Sequence, residues 1–230
     1  AAPPREELVL EVHAGDWGDV ALALTRRYGR VFAVLNMAHP RVPGGAYLEG
    51  AVAQEENLFR RTDCHFHVTA DDYDARRNRY RLKMQRLVTA RDGEVYLDVD
   101  QPRVCVRGPE DRGHQDLGYR WLDQDDIFLF YELRAAAVRR FPWQRFNEGE
   151  MRRRIAAQLD TLATKGIRHA VLGAFGCGAF GNPADRVAGL YREEIARRTR
   201  SFDVLAFAIY DAGYGPDNGV PFYECFTVGQ

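Results

Sequence analysis

Between residues 44 and 56 the chain reads Gly44-Gly45-Ala46, a seven-residue spacer and then Gln54-Glu55-Glu56. The glycines leave backbone N–H groups bare and let a polyanionic ligand come closer than a Cβ would allow, which suits a phosphate or a ribose. Residues 51–63 contain good helix formers and no Gly or Pro, so Gln54, Glu55 and Glu56 fall in the first turns of a predicted helix. Adjacent helical residues point about 100° apart, so the two carboxylates cannot flank one bond as a glycosidase pair does. They must have different tasks: one works as general acid and base at a scissile bond, while the other holds a hydroxyl or positions its neighbour. The plainer alternative is compensation of the helix dipole, for which acidic residues near a helix start are common.

A second glycine-rich segment, Leu172-Gly173-Ala174-Phe175-Gly176-Cys177-Gly178-Ala179-Phe180-Gly181-Asn182, joins a short apolar strand to a predicted helix over 184–198. Strand, glycine loop and helix in that order form an anion cradle. Gly176, Gly178 and Gly181 fit G-x-G-x-x-G, but a dinucleotide-binding fold needs that motif in its first βαβ unit with several strands after it, and here one strand follows. A simple turn would need fewer glycines and no interleaved aromatics, so a ligand loop is the better reading.

Other reactive side chains weigh less. Cys64-His65-Phe66-His67, read as a strand, would send its potential ligands to alternate faces, so no metal site is expected. Cys177 lacks a recognisable His and acid partner for nucleophilic work. Four cysteines with no pair at metal spacing indicate neither a disulfide scaffold nor a zinc site. Arg76, Arg77, Arg79, Arg81, Lys83 and Arg86 lie within eleven residues, either as a solvated helix face offset by Asp71, Asp72 and Asp74 or as a patch that steers a polyanion.

The elements that must position these groups follow from periodicity and punctuation. A strand is expected at 8–13, a helix at 17–28 closed by Gly29, and a strand at 31–36 that is apolar on both faces; this βαβ opening implies a buried sheet with parallel pairs. A charged helical stretch is expected around 72–87, with short strands at 95–97 and 104–106. Residues 127–131 read as a strand or as the start of a helix over 132–140. A helix at 151–164 capped by Gly166 and strands at 170–173 and 204–210 complete a three-layer α/β/α arrangement. Ligands in open α/β sheets bind beyond the carboxyl ends of strands, where Asn36, the two glycine loops and Tyr210 all fall. The tail from 211 to 230 carries Tyr214, Phe222, Tyr223 and Phe226, which either cover a sheet edge or stack on a ligand.

At 230 residues, 46% hydrophobic and 28% charged, the chain suits one α/β domain spanning 1–230. A net charge of −1 does not announce a nucleic-acid partner, and direct nucleic-acid binding is left open. No signal peptide and no apolar run of membrane-spanning length is visible, so a cytoplasmic monomer without membrane contact is expected.

These residues resemble the macrodomain superfamily and, within it, the microbial branch of the poly(ADP-ribose) glycohydrolase family, whose signature is three glycines, a short spacer and Gln-Glu-Glu. Ala46 stands where the third glycine belongs. Val34-Leu35-Asn36 is similar to the family's strand ending in an asparagine, 172–182 to its diphosphate loop, and Gly15-Asp16 more weakly to the first-strand signature; 70–149 shows no family pattern. The resemblance implies a single macrodomain-like α/β sandwich with a mixed, largely parallel sheet, and a hydrolase of the O-glycosidic ribose–ribose bond of poly(ADP-ribose). It implies Glu56 as general acid and base, and Glu55 and Asn36 on ribose hydroxyls. ADP-ribose would also meet Asp16, Gly44, Gly45, Ala46, Gln54, Gly176, the N–H of Cys177, Gly178, Ala179 and Phe180, with Tyr210 stacked on adenine. No cofactor or metal is implied. A non-catalytic reader of ADP-ribosylated macromolecules, or a hydrolase of a mono-ADP-ribosyl linkage, are the alternatives; the methyl of Ala46 puts turnover in question if its backbone needs positive φ.

Overall fold

The computed structural model describes residues 7–211, 213 and 216–227. Strand β1 (Val9–Ala14) leads to helix α1 (Trp17–Tyr28), which starts on Asp16, whose Oδ1 accepts from Gly18 N at 2.8 Å, and stops on Gly29 in the left-handed region. Strand β2 (Ala33–Met37) runs to the first glycine loop and helix α2 (Gln54–Arg61). A hairpin of β3 (Tyr73–Asp74) and β4 (Arg79–Tyr80) precedes α3 (Leu82–Val88), β5 (Tyr96–Leu97), β6 (Arg103–Cys105) and the long β7 (Phe128–Ala135). The chain continues through α4 (Glu148–Thr164), β8 (His169–Leu172), α5 (Ala184–Ala196), β9 (Val204–Ile209) and α6 (Gly219–Thr227).

Seven strands form one mixed sheet in the order β1-β9-β8-β2-β7-β5, with β6 also on β7. The neighbours from β1 to β7 are parallel, and β5 and β6 join β7 antiparallel. Alternate residues of β2 serve opposite layers, as a strand buried on both faces requires: Ala33 and Leu35 pack with α4 and α5, and Val34 with Trp17 and Leu24 of α1 and Leu58 of α2. The result is the expected three-layer α/β/α sandwich.

The structure corrects three local expectations. Residues 132–135 are strand, with no helix following them: Phe130, Glu132 and Arg134 share one face of β7, and Glu132 and Arg134, both about 1% exposed, bind each other through paired contacts of 2.8 Å. Residues expected in a helix over 132–140 are here a buried ion pair at strand spacing. The 72–87 stretch is a hairpin followed by a short helix, because Asp74 accepts from Arg76 N and Arg77 N and turns the chain at 75–78. Cys64–His67 is a 3-10 turn rather than a strand. In the tail, Phe222 and Phe226 enter the core, Phe226 stacking on Phe207 at 4.7 Å, so α6 covers the sheet; Tyr214 lies outside the described residues.

Candidate active site

A cavity of about 530 Å³ opens beyond the carboxyl ends of the parallel strands, a volume suited to a nucleotide-sized ligand. Asp16, Gln54, Glu55, Glu56, Gly176, Cys177, Gly178, Ala179, Phe180 and Tyr210 all line it. Asn36, Gly44, Gly45 and Ala46 are not among its lining residues.

The first turn of α2 explains both groups. Gln54 clasps the end of β2 through backbone partners, its Oε1 accepting from Met37 N at 2.9 Å and its Nε2 donating to Leu35 O at 2.7 Å. Glu55 is buried and accepts from His39 N at 2.6 Å and Gly44 N at 2.9 Å. Glu56 accepts from Ala46 N at 3.1 Å while reaching the cavity. The N–H groups of Gly44 and Ala46 therefore serve the two carboxylates and are not bare toward a diphosphate. Gly44 and Gly45 are needed for a related reason: both have positive φ, and a Cβ on Gly45 would collide with Glu56 Oε1. The first glycine loop is the seat of the carboxylate pair.

Burial pushes the Glu55 carboxyl well above the ordinary carboxylate range, and the neighbouring Glu56 charge adds to the rise, against the hydrogen bonds from His39 and Gly44. Asn36 is fully buried and turned into the layer between β2 and β7, donating to Glu132 at 2.7 Å, so its side chain is not presented to a ribose. Arg134 links the two carboxylate centres: it binds Glu132, and its charge opposes the rise at Glu55.

In the second glycine loop, Gly176 has φ +74°, and a Cβ there would lie 2.5 Å from Ala137 Cβ. Asn182 pins the loop, its Nδ2 donating to Gly176 O at 2.9 Å and Val138 O at 2.8 Å. Among the described residues the N–H groups of Gly178, Ala179 and Phe180 make no backbone hydrogen bond, and a Cβ on Gly178 would meet open space. Cys177 differs from expectation: its N–H donates to Ala174 O at 3.0 Å, and its thiol is buried and pushed up to about 12, chiefly by desolvation. It is neither an anion donor nor a reactive thiol. Asp16 caps α1 and pairs with the buried Arg61, which also lies over Trp17. Tyr210, just past β9, is half exposed at the rim.

His39, Glu110 and Arg112 are lining side chains that the sequence reading did not single out. His39 accepts from Arg41 N at 3.2 Å and Val42 N at 3.0 Å through Nδ1, which leaves the proton of the neutral ring on Nε2. Burial holds this imidazole below its ordinary value, although Glu56 pulls the other way. Its place between β2 and the glycine loop was the available signal. Glu110 and Arg112, 2.8 Å apart, reach the cavity from the irregular 107–121 segment, and Arg112 approaches the Tyr210 ring at 6.0 Å; no local pattern marks them. Among the described residues no cluster of three or more His, Cys, Asp or Glu could hold a metal.

Comparison with known proteins shows what the chain is similar to. The microbial-type PARG catalytic domain, PARG being poly(ADP-ribose) glycohydrolase, matches residues 2–92. Poly(ADP-ribose) glycohydrolase from Thermomonospora curvata superposes with a TM-score of 0.70 at 26% identity, over 98% of this chain and 79% of that one. The same protein bound to the inhibitor ADP-HPD gives 0.68 at 26%, over 95% and 79%. The Deinococcus radiodurans enzyme in complex with ADP-ribose shares the fold at 22% identity and a TM-score of 0.68, over 96% and 85%. No curated protein matches the sequence. The chain resembles the microbial poly(ADP-ribose) glycohydrolase catalytic domain in fold, and the stretch matched by that family, residues 2–92, contains Gln54-Glu55-Glu56.

Proposed function

We propose that this chain is a glycosidase that hydrolyses the O-glycosidic ribose–ribose bond of poly(ADP-ribose) and releases ADP-ribose. The observation that carries the reading is Glu56: one oxygen is fixed by Ala46 N–H, and the carboxyl lies on the wall of a cavity whose far side offers the Gly178, Ala179 and Phe180 N–H groups. The Thermomonospora curvata and Deinococcus radiodurans proteins, which bind ADP-HPD and ADP-ribose, support the same ligand here.

In this reading the 176–181 loop holds the diphosphate and thereby sets the anomeric carbon beside Glu56. Glu56 donates a proton to the departing ribose oxygen, an oxocarbenium-like centre forms, and the resulting carboxylate takes a proton from the attacking water. Glu55 positions this machinery by holding His39 N–H and Gly44 N–H, one of the two tasks its place in the helix left open, whereas the resemblance implied contact with ribose hydroxyls. A pure reader of ADP-ribose has no need of Glu56.

Incubation with labelled poly(ADP-ribose) and chromatography of the products tests the proposal. Glu56→Gln is expected to lower turnover by about 10²–10⁴ while ADP-ribose affinity stays within a few fold, the usual share of general acid–base catalysis. Normal hydrolysis by Glu56→Gln would show that the proton is handled elsewhere.

A further inference from the structure

Residues 138–146 follow β7 and Ala137, which lines the cavity together with His39 and residues 176–180. Ala38 N donates to Ala135 O at 2.8 Å, which sets the end of β7 beside the start of the His39 loop. Farther on, Asn182 Nδ2 donates to Val138 O at 2.8 Å, Arg140 N to Phe180 O at 2.9 Å and Arg140 Nε to Gly181 O at 2.6 Å. The turn itself is closed by Gln144 N donating to Phe141 O at 2.9 Å and by Phe141 N donating to Gln144 Oε1 at 3.1 Å. This is a fixed shelf, tied to the loop assigned to the diphosphate.

On it stand groups that the fold does not use. Phe141 and Trp143 stack with centroids 5.1 Å apart and planes 9° from parallel, and the Arg139 guanidinium lies 5.1 Å from the Phe141 ring. Trp143 is 79% exposed, so the indole face away from Phe141 is open to solvent. Arg139 and Arg145 are exposed and make no salt bridge among the described residues. Single exposed hydrophobics are ordinary, but a flat aromatic stack flanked by unpaired guanidinium groups is the composition of a platform for a base and its phosphates. Ala137, two residues before Arg139, lines the same cavity as His39, Glu56 and the glycine loop, so the shelf starts at the cavity's edge.

The oxygen that leaves in the proposed reaction belongs to a ribose that carries an adenine and, through its 5′ carbon, a diphosphate. We propose that the 139–145 turn is a leaving-group subsite, in which the adenine of the adjoining ADP-ribose unit stacks on Trp143 and its diphosphate meets Arg139 and Arg145. This rests on the reading of the cavity as a poly(ADP-ribose) hydrolase, and it adds a preference for polymer over a mono-ADP-ribosyl linkage to protein, whose leaving group has no base.

Calorimetry in the Glu56→Gln background, with ADP-ribose and a two-unit ADP-ribose oligomer as probes, tests it. The oligomer is expected to bind about tenfold tighter than ADP-ribose, the scale of one base stacked on an aromatic side chain. Trp143→Ala should remove that gain while leaving ADP-ribose affinity within about twofold, Trp143→Phe should keep most of it, and Arg139→Ala with Arg145→Ala should weaken both the gain and its salt dependence. ADP-ribose binding with no gain for the oligomer, or a gain that survives Trp143→Ala, overturns the subsite alone. Failure of ADP-ribose to bind overturns the cavity reading and the subsite with it.

Discussion

Ala46 is where this chain departs from the three-glycine pattern, and its backbone at φ −107°, ψ 38° accepts an L residue without strain. Its N–H donates to Glu56, so the residue already does what the position requires. Ala46→Gly is therefore expected to give no gain in polymer hydrolysis and to lower stability by about 0.4–1 kcal/mol through added freedom in the unfolded chain, as initial rates and denaturant titration would show. A clear rise in rate would mean that the methyl obstructs the substrate. Glu55 gives a pH signature. Its folded-state carboxyl lies above the ordinary value of 4.5, so the protonated form is favoured by folding; that stability is complete below 4.5 and is lost as pH rises through the folded value. Unfolding free energies of the native chain and of Glu55→Gln, measured from acid to neutral pH, should show the native chain's stability falling relative to the variant along that window. A constant difference would refute the assignment.

At the scale of elements, the two glycine loops have opposite duties. The first turns its N–H groups inward to Glu55 and Glu56, while the second leaves Gly178, Ala179 and Phe180 without backbone partners beside the cavity. Gly178→Val has open space and is expected to leave the melting temperature nearly unchanged. It should weaken ADP-ribose binding at least about tenfold by displacing a phosphate from N–H donors, since hydrogen bonds to charged groups are worth about 1.5–3 kcal/mol. Gly176→Ala must adopt positive φ and meets Ala137, so it should destabilise the fold by roughly 1–3 kcal/mol. Equal thermal losses in both variants would show that the 176–181 loop is structural throughout. Strand β7 supplies the support beneath α2. Its Glu132 and Arg134 neutralise each other in the interior, Asn36 adds a donor to Glu132, and Arg103 Nε approaches Glu132 Oε2 at 3.5 Å.

For the molecule as a whole, the sheet brings the ends of β1, β2, β8 and β9 to one opening, so a ligand there contacts segments from distant parts of the chain. ADP-ribose should bind the folded protein and not the unfolded one. At a hundred times its dissociation constant it is expected to add about 2.7 kcal/mol, seen as a rise of several degrees in a melting scan. No shift at millimolar ligand would remove the cavity from consideration. No helix among the described residues is long and apolar enough to cross a membrane.

Much of this was legible in the residues because it depends on near neighbours. The stop of α1 at Gly29, the placement of Gln54, Glu55 and Glu56 in one helical turn and the glycine turn after β8 are set by backbone sterics within a few positions. The fold class followed from the order of those elements. What only the packed chain decides is where buried polar groups find partners: Asn36 turns toward Glu132, 96 residues away, and the N–H groups of Gly44 and Ala46 turn toward α2. The same applies to Glu132 and Arg134, which periodicity left in a possible helix over 132–140 and which the structure buries as a pair on β7. A buried donor or acceptor must be satisfied by whatever tertiary neighbour is within reach, and no local pattern in a single chain encodes that neighbour's identity.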